Sequence, residues 1–179
     1  MKRFLLLIFV LAGFVSCKSP AKGKNGEVYK TPVQYNDYIV GRQTTLLKNI
    51  MEFAKVAQID LDSADKMLNG YVKQTNDMIE DLRGMPPYKG DSALRDAAIN
   101  SFTFYRKAFD EYYREIIKLR KEGGEDQETA INEIVEKLSA DEEKYDKTFH
   151  NAQKDFAKKN KMRLMDNEMQ KEIDDMKDN

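Results

Sequence analysis

Tryptophan is absent, cysteine and histidine occur once each, and only four prolines interrupt 179 residues. A single cysteine excludes any disulfide within one chain. A single histidine, His150, excludes the paired Glu-x-x-His motifs of a carboxylate-bridged dimetal bundle. Position 147, where the glutamate of such a motif would stand, is a lysine. Asp146 and His150 lie one helical turn apart, which suits at most a surface clip for a metal and more simply a solvated imidazole. Neither charge sign dominates: thirty Lys and Arg oppose thirty-one Asp and Glu. A global nucleic-acid footprint is therefore not expected. No HExxH, phosphate-binding loop, dinucleotide fingerprint or nucleophile elbow is present. Acidic runs such as Asp141-Glu142-Glu143 and Asp174-Asp175 place neighbours on diverging helix directions and read as a solvated face. No catalytic residue, cofactor or metal ligand is assigned, and the expectation is a protein that is not an enzyme.

What is present is charge and helical periodicity. Hydrophobic residues make up 41% of the chain and charged residues 34%, with few breakers, a balance that favours helix over sheet. The organising stripe is Ala98, Phe102, Tyr105, Phe109, Tyr112, Ile116 and Leu119, spaced 4, 3, 4, 3, 4, 3. That spacing predicts one apolar face on a helix packed against others. The helix starts at Asp91 or Ser92 and stops at Gly123-Gly124, behind Lys118, Arg120 and Lys121.

The other helices are built to cover that face. Thr31-Pro32 with Gln34 predicts a capping box opening the first helix. Its stripe is Tyr35, Ile39, Leu46, Ile50, Phe53 and Ala57, interrupted by Arg42, and it ends near Gln58 or Ile59. The second helix opens at Asp62 and carries Leu68, Val72, Thr75, Ile79 and Leu82. A short gap makes the two antiparallel neighbours, with one kinked continuous helix as the alternative. Gly84 to Gly90, with Pro86-Pro87, forbids helix. The fourth helix begins near Asp126 with Ile131, Val135, Leu138, Glu142, Tyr145, Phe149, Ala152 and Phe156. Glu142, the one polar member, must find a partner or water.

After Phe156 the register fails through 158–161, and Met162, Met165, Met169, Ile173 and Met176 form a shifted stripe. Methionine suits adaptable contacts, so these five are a candidate partner surface, although packing on the first two helices explains them too. A continuous last helix would run about 80 Å against about 45 Å for the third. Its end must bend back, meet another molecule or fray. The fold class expected is all-α: an antiparallel up-down four-helix bundle with a long C-terminal helix, forming one domain over 31–179.

The N-terminal stretch bears on location. Met1-Lys2-Arg3 is a positive start, and Phe4 to Val15 is an apolar run too short for a comfortable membrane span. The following Phe14-Val15-Ser16-Cys17 resembles the bacterial lipobox, with Phe14 bulkier than the usual leucine. The resemblance implies a signal peptide over 1–16 and lipid on Cys17. Ordinary signal-peptidase cleavage beside an incidental cysteine is the alternative. Loss of 1–16 removes two cations and brings the formal charge of -1 to near -3. Residues 17–30 read as a flexible tether, rich in lysine and glycine. Its lysines either touch anionic headgroups or keep the linker soluble.

Tyr88-Lys89-Gly90-Asp91, Leu94-Arg95-Asp96-Ala97-Ala98, Phe102-Thr103-Phe104-Tyr105 and Tyr35-Asn36-Asp37-Tyr38-Ile39 together resemble an uncharacterised family of bacterial helical-bundle lipoproteins. The resemblance implies an all-helical domain at the cell surface or in the periplasm, and it brings no activity or functional residue. Lys18 stands where, by resemblance, an aspartate marks inner-membrane retention, so an outer-membrane anchor is expected. The functional expectation is a lipid-anchored envelope protein, membrane-bound through Cys17, that serves as an interaction or structural module for an envelope or extracellular protein. The alternative is a binder of a small apolar ligand between helices, lined by Phe102, Tyr105, Phe109 and Tyr145.

Overall fold

The computed structural model describes residues 21–24 and 26–164. Two short strands, β1 (Ala21–Lys22) and β2 (Val28–Tyr29), precede helices α1 (Pro32–Ala57), α2 (Leu61–Arg83), α3 (Ala93–Lys107), α4 (Tyr113–Glu122) and α5 (Gln127–Lys159). A π-helical turn, Ala108–Tyr112, joins α3 to α4. Residues 93–122 thus form one rod, and the architecture is the expected all-α bundle of four rods ending in a long helix.

Several helix ends have a local cause. The Thr31 hydroxyl accepts from the Gln34 amide at 3.1 Å, and the Gln34 side chain accepts from the Thr31 amide at 3.3 Å. That reciprocal pair satisfies two amides that α1 leaves bare. Asp60, not Asp62, caps α2, accepting from the Asp62 and Ser63 amides at 2.9 and 3.1 Å. Gly123 takes φ +70° and ends α4, a conformation that a Cβ disfavours. Between α2 and α3, Tyr88 and Asp91 exchange amide–carbonyl bonds at 2.9 and 3.0 Å, and the Asp91 carboxylate accepts from the Ala93 amide.

Contacts along the rods run in opposite order, which fixes the up-down arrangement. Arg42 meets Asp81 and Glu52 meets Tyr71 between α1 and α2. Arg95 meets Met85, and Arg114 meets Asn69, between the third rod and the α2 side. Tyr112 meets Asp141, and Asp91 meets Lys159, between the third rod and α5. The fourth side is closed by Gln153 donating to Asn36 at 2.9 Å and by Phe156 stacking on Tyr35.

The core divides into two apolar clusters. One holds Tyr29, Tyr35, Ile39, Leu82, Tyr88, Phe102 and Phe156. The other holds Leu46, Phe53, Leu68, Tyr71, Tyr105, Phe109 and Ile117. Along α2, buried Thr75 stands between Tyr71 of the second cluster and Ile79 of the first, and along α3, buried Ser101 stands between Ala98 of the first and Phe104 of the second. The Thr75 hydroxyl donates to the Tyr71 carbonyl at 2.7 Å. Among the described residues, the Ser101 hydroxyl is the buried side-chain group with no hydrogen-bond partner.

Three further expectations are corrected. The organising stripe holds through Tyr112 and then slips by one: Ile117 is 3% exposed, whereas Ile116 and Leu119 are half-buried. The π turn is the reason, because Tyr113 bonds back five residues to Ala108 and the extra residue rotates everything after it. In α5, Val135 is 42% exposed, and the neighbouring Ile134 packs on the core instead. The second half of the expected flexible tether is ordered: β1 pairs antiparallel with β2, the Lys24 amide donates to Gly84 at 2.7 Å, and Tyr29 is 4% exposed. Two edge-on contacts, with Tyr35 at 5.2 Å and Tyr38 at 5.3 Å, hold that ring.

Of the outcomes open to the end of the last helix, the described residues show the bend back. The final helix stops at Lys159, so its 33 residues span about 50 Å, close to the third rod. Lys161 takes φ +52°, its amide donates to Lys158, and the Met162 amide donates to Ala157 at 2.9 Å. This is a Schellman turn, with lysine in the place that favours glycine. It folds Met162 back onto the first cluster.

Candidate interaction surfaces

Cys17 lies outside the described residues, as do Met165, Met169, Ile173 and Met176. Met162, the one described member of the candidate methionine surface, is half-buried against the first cluster and serves as packing. Of the four residues proposed to line a ligand space, three are buried core and Tyr145 is half-buried against it. Phe102 belongs to one cluster, and Tyr105 and Phe109 to the other. Tyr145 stacks on Phe104 with ring centroids 5.0 Å apart.

Three polar clusters bridge the rods. At the first, the buried Tyr105 hydroxyl lies 3.2 Å from a Glu142 oxygen and 3.1 Å from an Asp146 oxygen. Its one proton is divided between two carboxylates. Burial, then the charges of Asp146 and Glu142, push its ionisation far above the usual phenol range. Such a phenol keeps its proton near neutrality, so it can donate a hydrogen bond but is a poor acid. This is also how Glu142 satisfies the requirement that the sequence set for it.

At the second, the Arg42 guanidinium lies 3.4 Å over the Tyr38 ring and pairs with Asp81. The Tyr38 hydroxyl donates to the same carboxylate at 2.8 Å. Arg42, which breaks the apolar stripe of α1, is thus an α1–α2 tie. At the third, Arg114 reaches Asn69 at 2.7 Å, Asp65 at 3.5 Å and Asp110 at 3.5 Å, while Lys121 reaches Asp62 at 2.7 Å. All of these but the Arg114–Asp110 pair tie α4 to α2, along a rim where burial is thin, Ile117 being the one buried residue of α4.

Beside that rim runs an open groove of about 650 Å³, bordered by Asp110, Glu111, Tyr112, Arg114, Lys118 and Ile134. It lies next to the π turn and to the first turns of α5, where Ile131, Ile134 and Leu138 are only half-covered. A second open groove of about 390 Å³ lies between Lys24 and the end of α2. Among the described residues, no group of three or more His, Cys, Asp or Glu is placed to hold a metal ion, and His150 is exposed. No described helix is long and apolar enough to cross a membrane.

The sequence missed the groove because nothing in its apolar spacing marks the extra residue of the π turn that shapes it. It missed the buried Tyr29 because two residues of strand carry no readable period. Val28-Tyr29 was nevertheless the only large apolar pair in the 18–30 segment. Comparison with protein-family models, with curated proteins and with solved structures finds no match.

Proposed function

We propose that this chain is a lipid-anchored cell-envelope protein acting as a non-catalytic interaction or structural module. It is moored through acylated Cys17 in the outer membrane and faces the periplasm or the cell surface. The observation that carries the reading is the coincidence of a positive start, a short apolar run and the chain's single cysteine. A lone thiol in an exported chain is best explained as the lipid attachment site. Each buried methylene of an acyl chain contributes about 0.8 kcal/mol, so several chains moor the protein stably.

The interaction role is supported by how the helices use their apolar residues. The aromatic side chains that could have walled a ligand cavity fill the core themselves. The groove beside the π turn combines a mixed-charge rim with half-covered Ile134, and we assign the partner-facing region to it. Mass spectrometry of the protein from its native host tests the anchor: the Cys17 peptide carries acyl mass, and an unmodified thiol refutes it. A photo-crosslinker at exposed Glu111 tests the role in intact envelopes. One reproducible protein adduct is expected there and none from His150, whereas adducts to bulk lipid alone refute it. Protease shaving with and without permeabilisation decides which side of the membrane the domain faces.

A further inference from the structure

One end of the bundle collects positive charge. The hairpin, the start of α1, the end of α2, the 84–92 loop and the end of α5 converge there. Lys24 bonds Gly84, Tyr29 packs on Tyr35 and Tyr38, Tyr88 packs on Phe156, and Lys159 pairs with Asp91. Segments 21–38, 83–92 and 154–164 at this end carry ten lysines and arginines against four carboxylates, and all ten cations are exposed. The flanking carboxylates Glu80, Asp81 and Asp96 are each taken up by an arginine: Arg83, Arg42 and Arg95. The opposite end, segments 58–66 and 113–128, carries five cations against eight carboxylates. Among the described residues the bundle is therefore polarised along its length.

The anchor is attached at the positive end. Only Lys18, Ser19 and Pro20 separate Cys17 from β1. At full stretch the step from Cys17 to Ala21 covers about 14 Å. The Debye length is about 8 Å at physiological ionic strength, so the basic end is held within one to two screening lengths of the headgroups. Were the hairpin undone, Cys17 to Lys30 could reach about 45 Å, and the same charges would lie beyond useful range.

Resting on the anchoring reading, we propose that this basic end is a docking surface for anionic phospholipid headgroups. The bundle then stands on the membrane with the groove beside the π turn directed away from it. Each Lys or Arg near an anionic surface favours the docked state roughly fivefold. Lys22, Lys24, Lys89, Lys158, Lys161 and Arg163 are the cations assigned to this contact.

The test uses the full-length acylated protein in vesicles of phosphatidylcholine, alone or with about one third phosphatidylglycerol, an anionic fraction chosen to give a measurable surface potential. With Cys17 acylated, Lys89→Cys or Glu125→Cys supplies a unique thiol for a fluorophore, read against a quencher carried on lipid headgroups. The expected result is strong quenching at 89 that requires phosphatidylglycerol and fades in high salt, with none at 125. Combining Lys158→Glu, Lys161→Glu and Arg163→Glu should lower the docked-to-undocked ratio by roughly a hundredfold or more. Equal quenching in both vesicles, or no response to the triple reversal, overturns the inference. So does quenching that appears only after removal of 165–179, whose six carboxylates and two lysines would then be the occupant. A chain that fails to float with vesicles in high salt overturns the anchoring reading itself, and this inference with it. A chain that floats without docking overturns the inference alone.

Discussion

Replacing Tyr29 by alanine should detach the hairpin and leave the bundle folded. The ring is buried and meets Tyr35 and Tyr38 edge-on. Burial of such a side chain is worth about 1.5–3 kcal/mol, and each edge-on pair adds about 0.5–1.5 kcal/mol. Losing about 3 kcal/mol shifts the closed-to-open ratio of the hairpin roughly a hundredfold. The four rods keep Tyr35, Tyr88 and Phe156 in mutual contact without it. Hydrogen exchange resolved by peptide is the assay, with limited trypsin digestion at Lys22, Lys24 and Lys30 alongside. Segment 21–30 should lose protection and be cut, while α2 and α3 exchange as before. Tyr29→Phe, which keeps the ring, should behave nearly as wild type. Retained protection over 21–30 would refute the argument, and so would a loss spreading through α2 and α3.

Four further outcomes are expected. Ser101→Ala removes a buried hydroxyl that has no partner and should stabilise by about 1 kcal/mol, read as a higher denaturation midpoint at unchanged slope. Gly41→Ala should also stabilise, by up to about 1 kcal/mol, because a Cβ there meets nothing within 4 Å and α1 gains a better helix former. Lys161→Gly relieves the positive φ of the Schellman turn, and hydrogen exchange at Met162 should slow severalfold. Alkaline titration should leave stability flat to about pH 9 and then erode it. Burial, then the Glu52 hydrogen bond, raises Tyr71 to about 12, and burial also raises Tyr35, Tyr38, Tyr105 and Tyr113. Above about pH 10 the unfolded chain ionises first, so each further rise favours unfolding. Unfolding coincident with a late tyrosinate absorbance step is the check, and tyrosines titrating at their ordinary value without unfolding would contradict it.

Local chemistry was the readable part of this fold. The capping box of α1 needs only Thr31 and Gln34, the glycine stop needs only Gly123, and the 84–90 break needs only its prolines and glycines. What failed were choices made by tertiary contact. Asp60 and Asp62 are both competent caps, and the chain uses the one that lets Leu61 enter the helix. Ile116 and Ile117 are equally apolar, and the π turn decides between them by inserting one residue. Ile134 and Val135 differ by one helical step, and the axis of α5 turns the former toward the core. The groove inherits this illegibility, since it lies where the slip occurs. The basic end was hidden for a different reason: its charges come from three segments far apart in sequence, and only folding adds them up.

The division of the core into two clusters has an evolutionary consequence. Two hydrophobic nuclei in series, sharing few side chains, lose free energy independently when each is mutated. Leu82→Ala on one side and Leu68→Ala on the other should sum, whereas two lesions on the same side should interfere. Such a rod can drift at one end while the other preserves the frame, so the half around Tyr35 and Phe156 and the half around Leu68 and Phe109 are free to diverge at different speeds.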